Sequence, residues 1–250
     1  MNKVETIDLT LNKFKEKKSF QLCIVMPIYN ESTHIESVLN DWIGELEKHN
    51  INFCFVIVND GSTDNSTDEI KKVECPIYII NKRNSGHGRS VRTGYDFCIS
   101  CLKTEYILQI DSDGQCLSVF FHEFWNQRTN YDFIIGSRVQ RGDGFGRILT
   151  SKISTFLIFM LTSMNLKDAN TPYRLMTSDC LEESLKYVKE SFDIHNIALT
   201  YVVTKKKFNI KRVRIEFPDR VGGENSINIT KVFQMGLNML FDLKFLKNDI

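Results

Sequence analysis

Net charge is nearly absent from this chain: 32 Lys and Arg stand against 31 Asp and Glu over 250 residues, a formal balance of +1. No global field therefore draws in nucleic acid, and basic residues matter only where they cluster. A secretory leader is missing too. The first twenty residues, MNKVETIDLTLNKFKEKKSF, are charged throughout and hold no apolar core, which predicts retention in the cytoplasm. Of the seven cysteines, only Cys98 and Cys101 form a CxxC, and no second pair or histidine follows at zinc spacing. Others sit in apolar runs (Cys23, Cys54), as small core residues of a reducing compartment do. Two phosphate-binding signatures also fail. GxxxxGK(S/T) occurs nowhere, and in NSGHGRS (84–90) Val91 stands where GxGxxG needs its third glycine, so a nicotinamide dinucleotide site finds little support.

What is present is ordinary globular material, 42% hydrophobic and 25% charged, enough to bury roughly 70–75% of the unfolded surface. Residues 1–18 read as a loose tail or frayed helix and 19–250 as a single domain. The first half alternates strand and helix. Residues 22–26 are a continuous apolar run suited to a strand buried on both faces. Thr33 and Glu36 make a capping box, after which Ile35, Val38, Leu39, Trp42, Ile43 and Leu46 recur at helical spacing as far as His49. Further strands are predicted over 53–58, 77–80, 106–110 and 132–135, with helices over 63–73 and 90–102. Repeated βα units with short loops imply an α/β fold, a doubly wound and mostly parallel sheet with helices on both faces.

The segment ILQIDSDGQ (107–115) carries the most chemistry. Four residues of strand character run into Asp111 and Asp113, spaced i, i+2, and then Gly114. Ligands of open α/β sheets bind outside the carboxyl ends of the strands, and two hard oxygen donors on one turn suit Mg²⁺ or Mn²⁺ carrying a diphosphate. The same four residues also make a plain exposed turn. Their company tips the balance. VMPIYNE (25–31) and VNDGSTD (58–64) likewise break from an apolar strand into a polar end, so three strands stop at polar clusters on one rim. Glu31 and Asp64 are equally placed to cap helices.

The ordered set PIYNE (27–31), NDGSTD (59–64), NSGHGRS with TG (84–94), DSDGQ (111–115) and GSR (136–138) resembles inverting GT-A glycosyltransferases of family 2. The resemblance implies a GT-A fold in which Pro27, Tyr29, Glu31 and Asp60 line the base and ribose pocket of a nucleotide-sugar, with Asn84, Gly86, Gly88 and Arg89 also on the donor. Asp111 and Asp113, with Gln115, would hold the metal and diphosphate. Where relatives usually show a lysine and small residues, this chain has His87, Arg89 and Ser90. Farther on, Arg147 with Ser151, Asp168 ahead of Tyr173-Arg174, and a late Arg220, Gly223, Ser226 element look like the dolichol-phosphate mannosyltransferase type. That likeness implies transfer from a GDP- or UDP-sugar to a polyprenyl phosphate. The donor would occupy 19–137 and the acceptor 138–250, with Arg138, Arg147, Ser151 and Arg220 around the acceptor phosphate. Asp111, Asp113, Arg138 and Asp168 would then flank the chemistry.

Elementary chemistry agrees with that assignment. Arginine offers a planar fork for phosphate oxygens where lysine offers a point charge. A phosphomonoester, with its second pKa near ~6, is already a nucleophilic dianion at neutral pH and needs no strong base. A saccharide hydroxyl in a capsule, O-antigen or other surface glycan would need one, and Asp168, Asp193 and His195 are candidates, each with a structural alternative in bracing or capping. A binding module without turnover would look similar at the donor end but would lack metal ligands. A nucleotidyltransferase would place a glycine-rich basic loop after the first strand, where this chain has Pro27-Ile-Tyr-Asn30.

Membrane contact rests on two apolar stripes. One runs from Leu149 through Phe156 and Met160 to Met164, too short to span at under ~20 residues but suited to an interface plane or to the core. The other runs from Ile229 to Phe241, ahead of Lys244 and Lys247. Lys205, Lys206, Lys207, Lys211, Arg212 and Arg214 suit anionic headgroups, or a solvated strand face. Placement at the inner face of the membrane follows, through peripheral contact or a membrane partner subunit.

Overall fold

The computed structural model describes residues 4–7, 17–138, 168–192 and 194–218. Its central strand β2 (Ser19–Ile28) is buried at every position from Leu22 onward, as an unbroken apolar run requires when both faces are covered. Around it lie β1 (Val4–Ile7), β3 (Phe53–Asn59), β4 (Ile77–Asn81), β5 (Lys103–Gln109), β6 (Phe133–Arg138), β7 (Arg174–Thr177) and β8 (Ile210–Ile215). The helices are α1 (Ile35–Lys48), α2 (Ser66–Lys71), α3 (His87–Cys101), α4 (Phe121–Gln127), α5 (Ser178–Leu185) and α6 (His195–Lys205).

One eight-stranded sheet results, in the order β1-β4-β3-β2-β5-β7-β6-β8. The period of two along β2 divides the core. Leu22, Ile24, Met26 and Ile28 pack with Leu39 and Trp42 of α1 and Phe121 and Phe124 of α4. Cys23 and Val25 face the other way, toward Val91 and Tyr95 of α3, Leu181 of α5 and Leu199 of α6. All seven cysteines are free. Cys98 belongs to this second cluster beside Cys23 and Cys54, so the CxxC contributes packing, not a pair.

Two features of topology position the site. The chain winds from β2 through β3 to β4 on one side, then returns to lay β5 on the other side of β2, so the order reverses between β2 and β5 and a crevice opens at their carboxyl ends. Pro27 lies beyond the last β2–β5 pair, Val25 with Gln109, where its missing N–H leaves no ladder bond unmade on that side. The second feature is β7, antiparallel to both β5 and β6. Its reversed direction brings residues 168–173 to the rim where β5 and β6 end.

Several local expectations need correction. Four residues of the supposed tail form β1, which pairs in parallel with β4 and extends the sheet edge. The capping box does not form: α1 begins at Ile35 with His34 as an N-cap lacking a side-chain bond, and the Thr33 hydroxyl is spent on the His34 ring at 3.0 Å. Helix α2 is only Ser66–Lys71, because Asp64 and Asn65 are engaged in loop and cap geometry. Helix α3 starts three residues early at His87, after Gly86 at φ 98, a left-handed conformation that only glycine adopts cheaply.

Candidate active site

The rim is built first by lacing two loops together. Asn30, at φ 56, donates its backbone N–H to Ser62 Oγ (3.0 Å), and its side-chain Oδ1 accepts from Thr63 N at 2.8 Å. Glu31 N donates to Ser66 Oγ at 2.8 Å. Asp64 accepts from Ser32 N and Ser66 N, each at 3.0 Å. The loops after β2 and β3 therefore form one rigid wall. Burial by itself would raise the Asp64 pKa, but the hydrogen bonds from Ser66 and Ser32 outweigh it and hold the carboxyl at about 2.

Asp60 braces the neighbouring loop in a similar way. It is buried, its two oxygens accept from Ser85 N and Gly86 N at 2.9 Å each, and Lys82 Nζ lies 2.5 Å away. Burial opposes ionisation, while Lys82 and the two amides hold its pKa below the usual range. The carboxylate thus clamps the entrance to α3, with Asn84, Gly86, Gly88 and Arg89 around it. Lys82 is not among the residues that the motifs single out. A basic residue just past a strand that ends on the rim was its only signal.

Asp111 and Asp113 follow β5 on a turn whose Gly114 has φ 75. Asp113 is 6% exposed and its Oδ1 accepts from Gln115 N at 3.1 Å. His87 Nε2, at the start of α3, lies 3.6 Å from Asp111 Oδ1. Ser112 Oγ reaches Glu31 Oε1 at 3.4 Å, and Glu31 pairs with His34 Nε2 at 2.7 Å. The ends of β2 and β5 are thereby joined across the crevice, with Tyr29 half exposed beside them. Gln115 Nε2 donates to Pro218 O at 2.8 Å. A carboxamide ligates cations through its oxygen, so this contact is compatible with metal binding.

Among the described residues no group of three or more His, Cys, Asp and Glu side chains is gathered to hold an ion. The donor set still fits a hard divalent cation, because Mg²⁺ is commonly held by one or two carboxylates with the remaining positions filled by water and substrate phosphates. The residues present suit an ion that arrives with its diphosphate.

Across β7 lies the second half of the rim. Arg138 ends β6, exposed, its guanidinium 4.3 Å from the Phe217 ring centroid. Asp168 stands at φ 54 and accepts from Ser137 Oγ at 2.6 Å. Arg174 lies beneath, fully buried; burial lowers its pKa to about 10, which leaves it charged at neutral pH. His195 is buried within α6 at 1% exposure, its ring centroid 5.6 Å from that of Tyr95. Burial, with Arg92 and Arg174 nearby, pushes its pKa down to about 3, a poor match to a general base at neutral pH. Arg212 and Arg214 are exposed on β8, and Glu216 just past its end, while Val213 and Ile215 are buried, the pattern of a solvated strand face. Arg147, Ser151, Asp193, Arg220 and both apolar stripes lie outside the described residues.

The sequence profile of "Glycosyl transferase family 2" matches residues 23–185, well over half of the chain and including every described rim residue except Phe217 and Pro218. The chain belongs to glycosyl transferase family 2. Relatives of this glycosyltransferase include the dolichyl-phosphate beta-glucosyltransferase of Saccharomyces cerevisiae, 24% identical over a match covering 89% of this chain and 74% of the yeast protein. The undecaprenyl-phosphate 4-deoxy-4-formamido-L-arabinose transferase of Serratia proteamaculans is 21% identical, the match covering 89% of this chain and 66% of that one. Among solved structures, glucosyl-3-phosphoglycerate synthase from Mycobacterium tuberculosis, crystallised with Mn²⁺, uridine diphosphate and phosphoglyceric acid, superposes with a TM-score of 0.65 at 15% identity, covering 90% of this chain and 78% of that one. The fold is GT-A, a mixed and mostly parallel sheet with helices on both faces.

Proposed function

We propose that this family 2 enzyme moves a sugar from a nucleoside diphosphate sugar to a polyprenyl phosphate, with inversion. The observation that carries the reading is the division of the rim by β7. An acidic turn follows β5 at the switch point, and an exposed arginine ends β6 on the far side, where Asp168 meets the neighbouring Ser137. A donor diphosphate suits the first side and an anionic acceptor the second. Both named relatives carry a polyprenyl phosphate in their names and cover 89% of this chain, which supports the same acceptor class here.

In this reading Tyr29, Pro27 and Glu31 face the nucleoside, while Asp60 works indirectly by holding the α3 entrance, so that Gly86, Gly88 and Arg89 meet the donor. Asp111 and Asp113, with Gln115, hold Mg²⁺ or Mn²⁺. The ion, when bound, neutralises charge on the departing diphosphate. Arg138, with Arg147, Ser151 and Arg220, orients the acceptor phosphate, whose dianion attacks without surrendering a proton. Alignment supplies most of the remaining acceleration. The acceptor places this side of the enzyme against a membrane, on its cytoplasmic face.

The test incubates purified protein with Mg²⁺ or Mn²⁺, a panel of UDP- and GDP-sugars and a short prenyl phosphate, followed by extraction into organic solvent. Label in the organic phase is expected, and Asp113→Asn is expected to lower turnover at least about 100-fold with the fold intact. Label left wholly in the aqueous phase would move the assignment to a saccharide hydroxyl, with Asp168 as the base.

A further inference from the structure

Arg174 is the first residue of β7 and faces Gln109 on β5 and Ile135 on β6 in register, two positions short of Asp111 and three short of Arg138. It is 0% exposed and makes no ion pair among the described residues. Its donors go to carbonyls and one hydroxyl instead: Nε to Thr171 O at 3.0 Å, Nη2 to Ala169 O at 3.0 Å, Nη1 to Asn196 O at 3.1 Å and to Thr200 Oγ1 at 3.4 Å. Thr200 Oγ1 lies 3.1 Å from Ala169 O and 2.8 Å from Asn196 O. The guanidinium thus pins the 168–171 turn to the first turn of α6.

Burying an unpaired cation costs several kcal/mol, and an apolar side chain would fill the volume without that cost. What an apolar residue lacks is the fork that binds carbonyls from two segments at once. The turn needs such a fastening, because Asp168 sits in left-handed backbone at φ 54, a conformation disfavoured for a residue with a Cβ. Ser137 then meets its carboxylate at 2.6 Å. We infer that Arg174 is a positioning residue for transfer, fixing the 168–171 turn so that Asp168 stays held against Ser137, next to Arg138 at the end of β6. This inference rests on the reading that the acceptor reacts on the Asp168 side of β7.

The experiment compares Arg174→Met, Arg174→Lys and Thr200→Val in the full chain by steady-state kinetics and amide hydrogen exchange. Arg174→Met is expected to lower kcat about tenfold or more with donor KM within about twofold, since small misplacements near reacting groups cost rate more than binding. Arg174→Lys should recover some of the loss, and Thr200→Val, which keeps the volume, should lose about threefold. Exchange across 168–173 should quicken while β2 amides stay protected. A folded Arg174→Met with unchanged kcat would overturn the inference, as would slowed turnover with unaltered exchange in the turn. Where Arg174→Met does not fold, Thr200→Val decides, and wild-type kcat in that variant overturns the inference. Kinetics are read on whichever acceptor the wild type uses, and exchange needs no acceptor, so failure of the polyprenyl reading leaves this result separate.

Discussion

Asp64 carries a pH dependence that can be worked out from its contacts. Two amides and the Ser66 hydroxyl hold its pKa at about 2, against an ordinary 3.8. The folded value is depressed, so on acidification the unfolded chain takes up the proton first. The carboxylate's contribution is therefore complete above about pH 4 and disappears as pH falls toward 2. Asp64→Asn keeps one acceptor and loses the charge, and is expected to cost about 1 kcal/mol at pH 7, a partly exposed group being discounted for solvent screening. Chemical denaturation at a series of pH values checks this: the gap between wild type and variant should close between pH 4 and 2, and a constant gap would assign the cost to packing. A local capping rule puts an acid near the start of α2, but Asp64 stands one residue ahead of the N-cap, Asn65, and one of its partners is remote. Ser32 is 32 residues away, a distance that helix-start patterns do not register. His195 illustrates the opposite limit, since nothing in its neighbours along the chain announces that both faces of α6 are buried.

At the scale of elements, the contact between α3 and the sheet depends on Gly94. A Cβ there would lie 2.5 Å from Val25 Cγ1 and 3.3 Å from Val58 Cγ2, inside a core of β-branched side chains that have few rotamers in which to retreat. Replacing a helical glycine by alanine gains up to about 1 kcal/mol in propensity, whereas overpacking costs about 1–3 kcal/mol. The clash wins, and Gly94→Ala is expected to lower Tm by a few degrees. Gly44 on α1, with nothing within 4 Å of its Cβ position, is the control: Gly44→Ala should raise Tm. Equal stabilisation by both changes, measured by thermal unfolding, would mean that the sheet yields to the added methyl at little cost. Apolar periodicity located α1, α3 and strands β2 to β6 because burial on one or two faces writes itself into residue order. It did not reveal β1, whose VETI sequence gains its strand only through pairing with β4, nor α1's true start, where the His34 ring took the Thr33 hydroxyl that a capping box would have used.

For the molecule as a whole, the rim was legible where strands end in acids and glycines, and hidden where the sheet order brings distant segments together. Asp111 and Asp113 could be read from ILQIDSDGQ because an apolar strand stops there. That Asp168 shares their rim depends on β7 running antiparallel between β5 and β6, a reversal that four residues of strand sequence do not encode by themselves. The assembled rim has a thermodynamic consequence. If the cation is held jointly by the Asp111 turn and a diphosphate, each should strengthen the binding of the other by the same factor. Ligand at 100 times its Kd stabilises by about 2.7 kcal/mol, which for a chain of this size is a Tm rise of several degrees. Thermal unfolding with Mn²⁺ alone, with UDP or GDP alone, and with both is expected to give a shift for the pair larger than the sum of the two. EDTA should abolish the excess, and so should Asp113→Asn, while either nucleotide's small separate shift survives. Additive shifts in the wild type would mean that the acidic turn and the diphosphate do not share an ion.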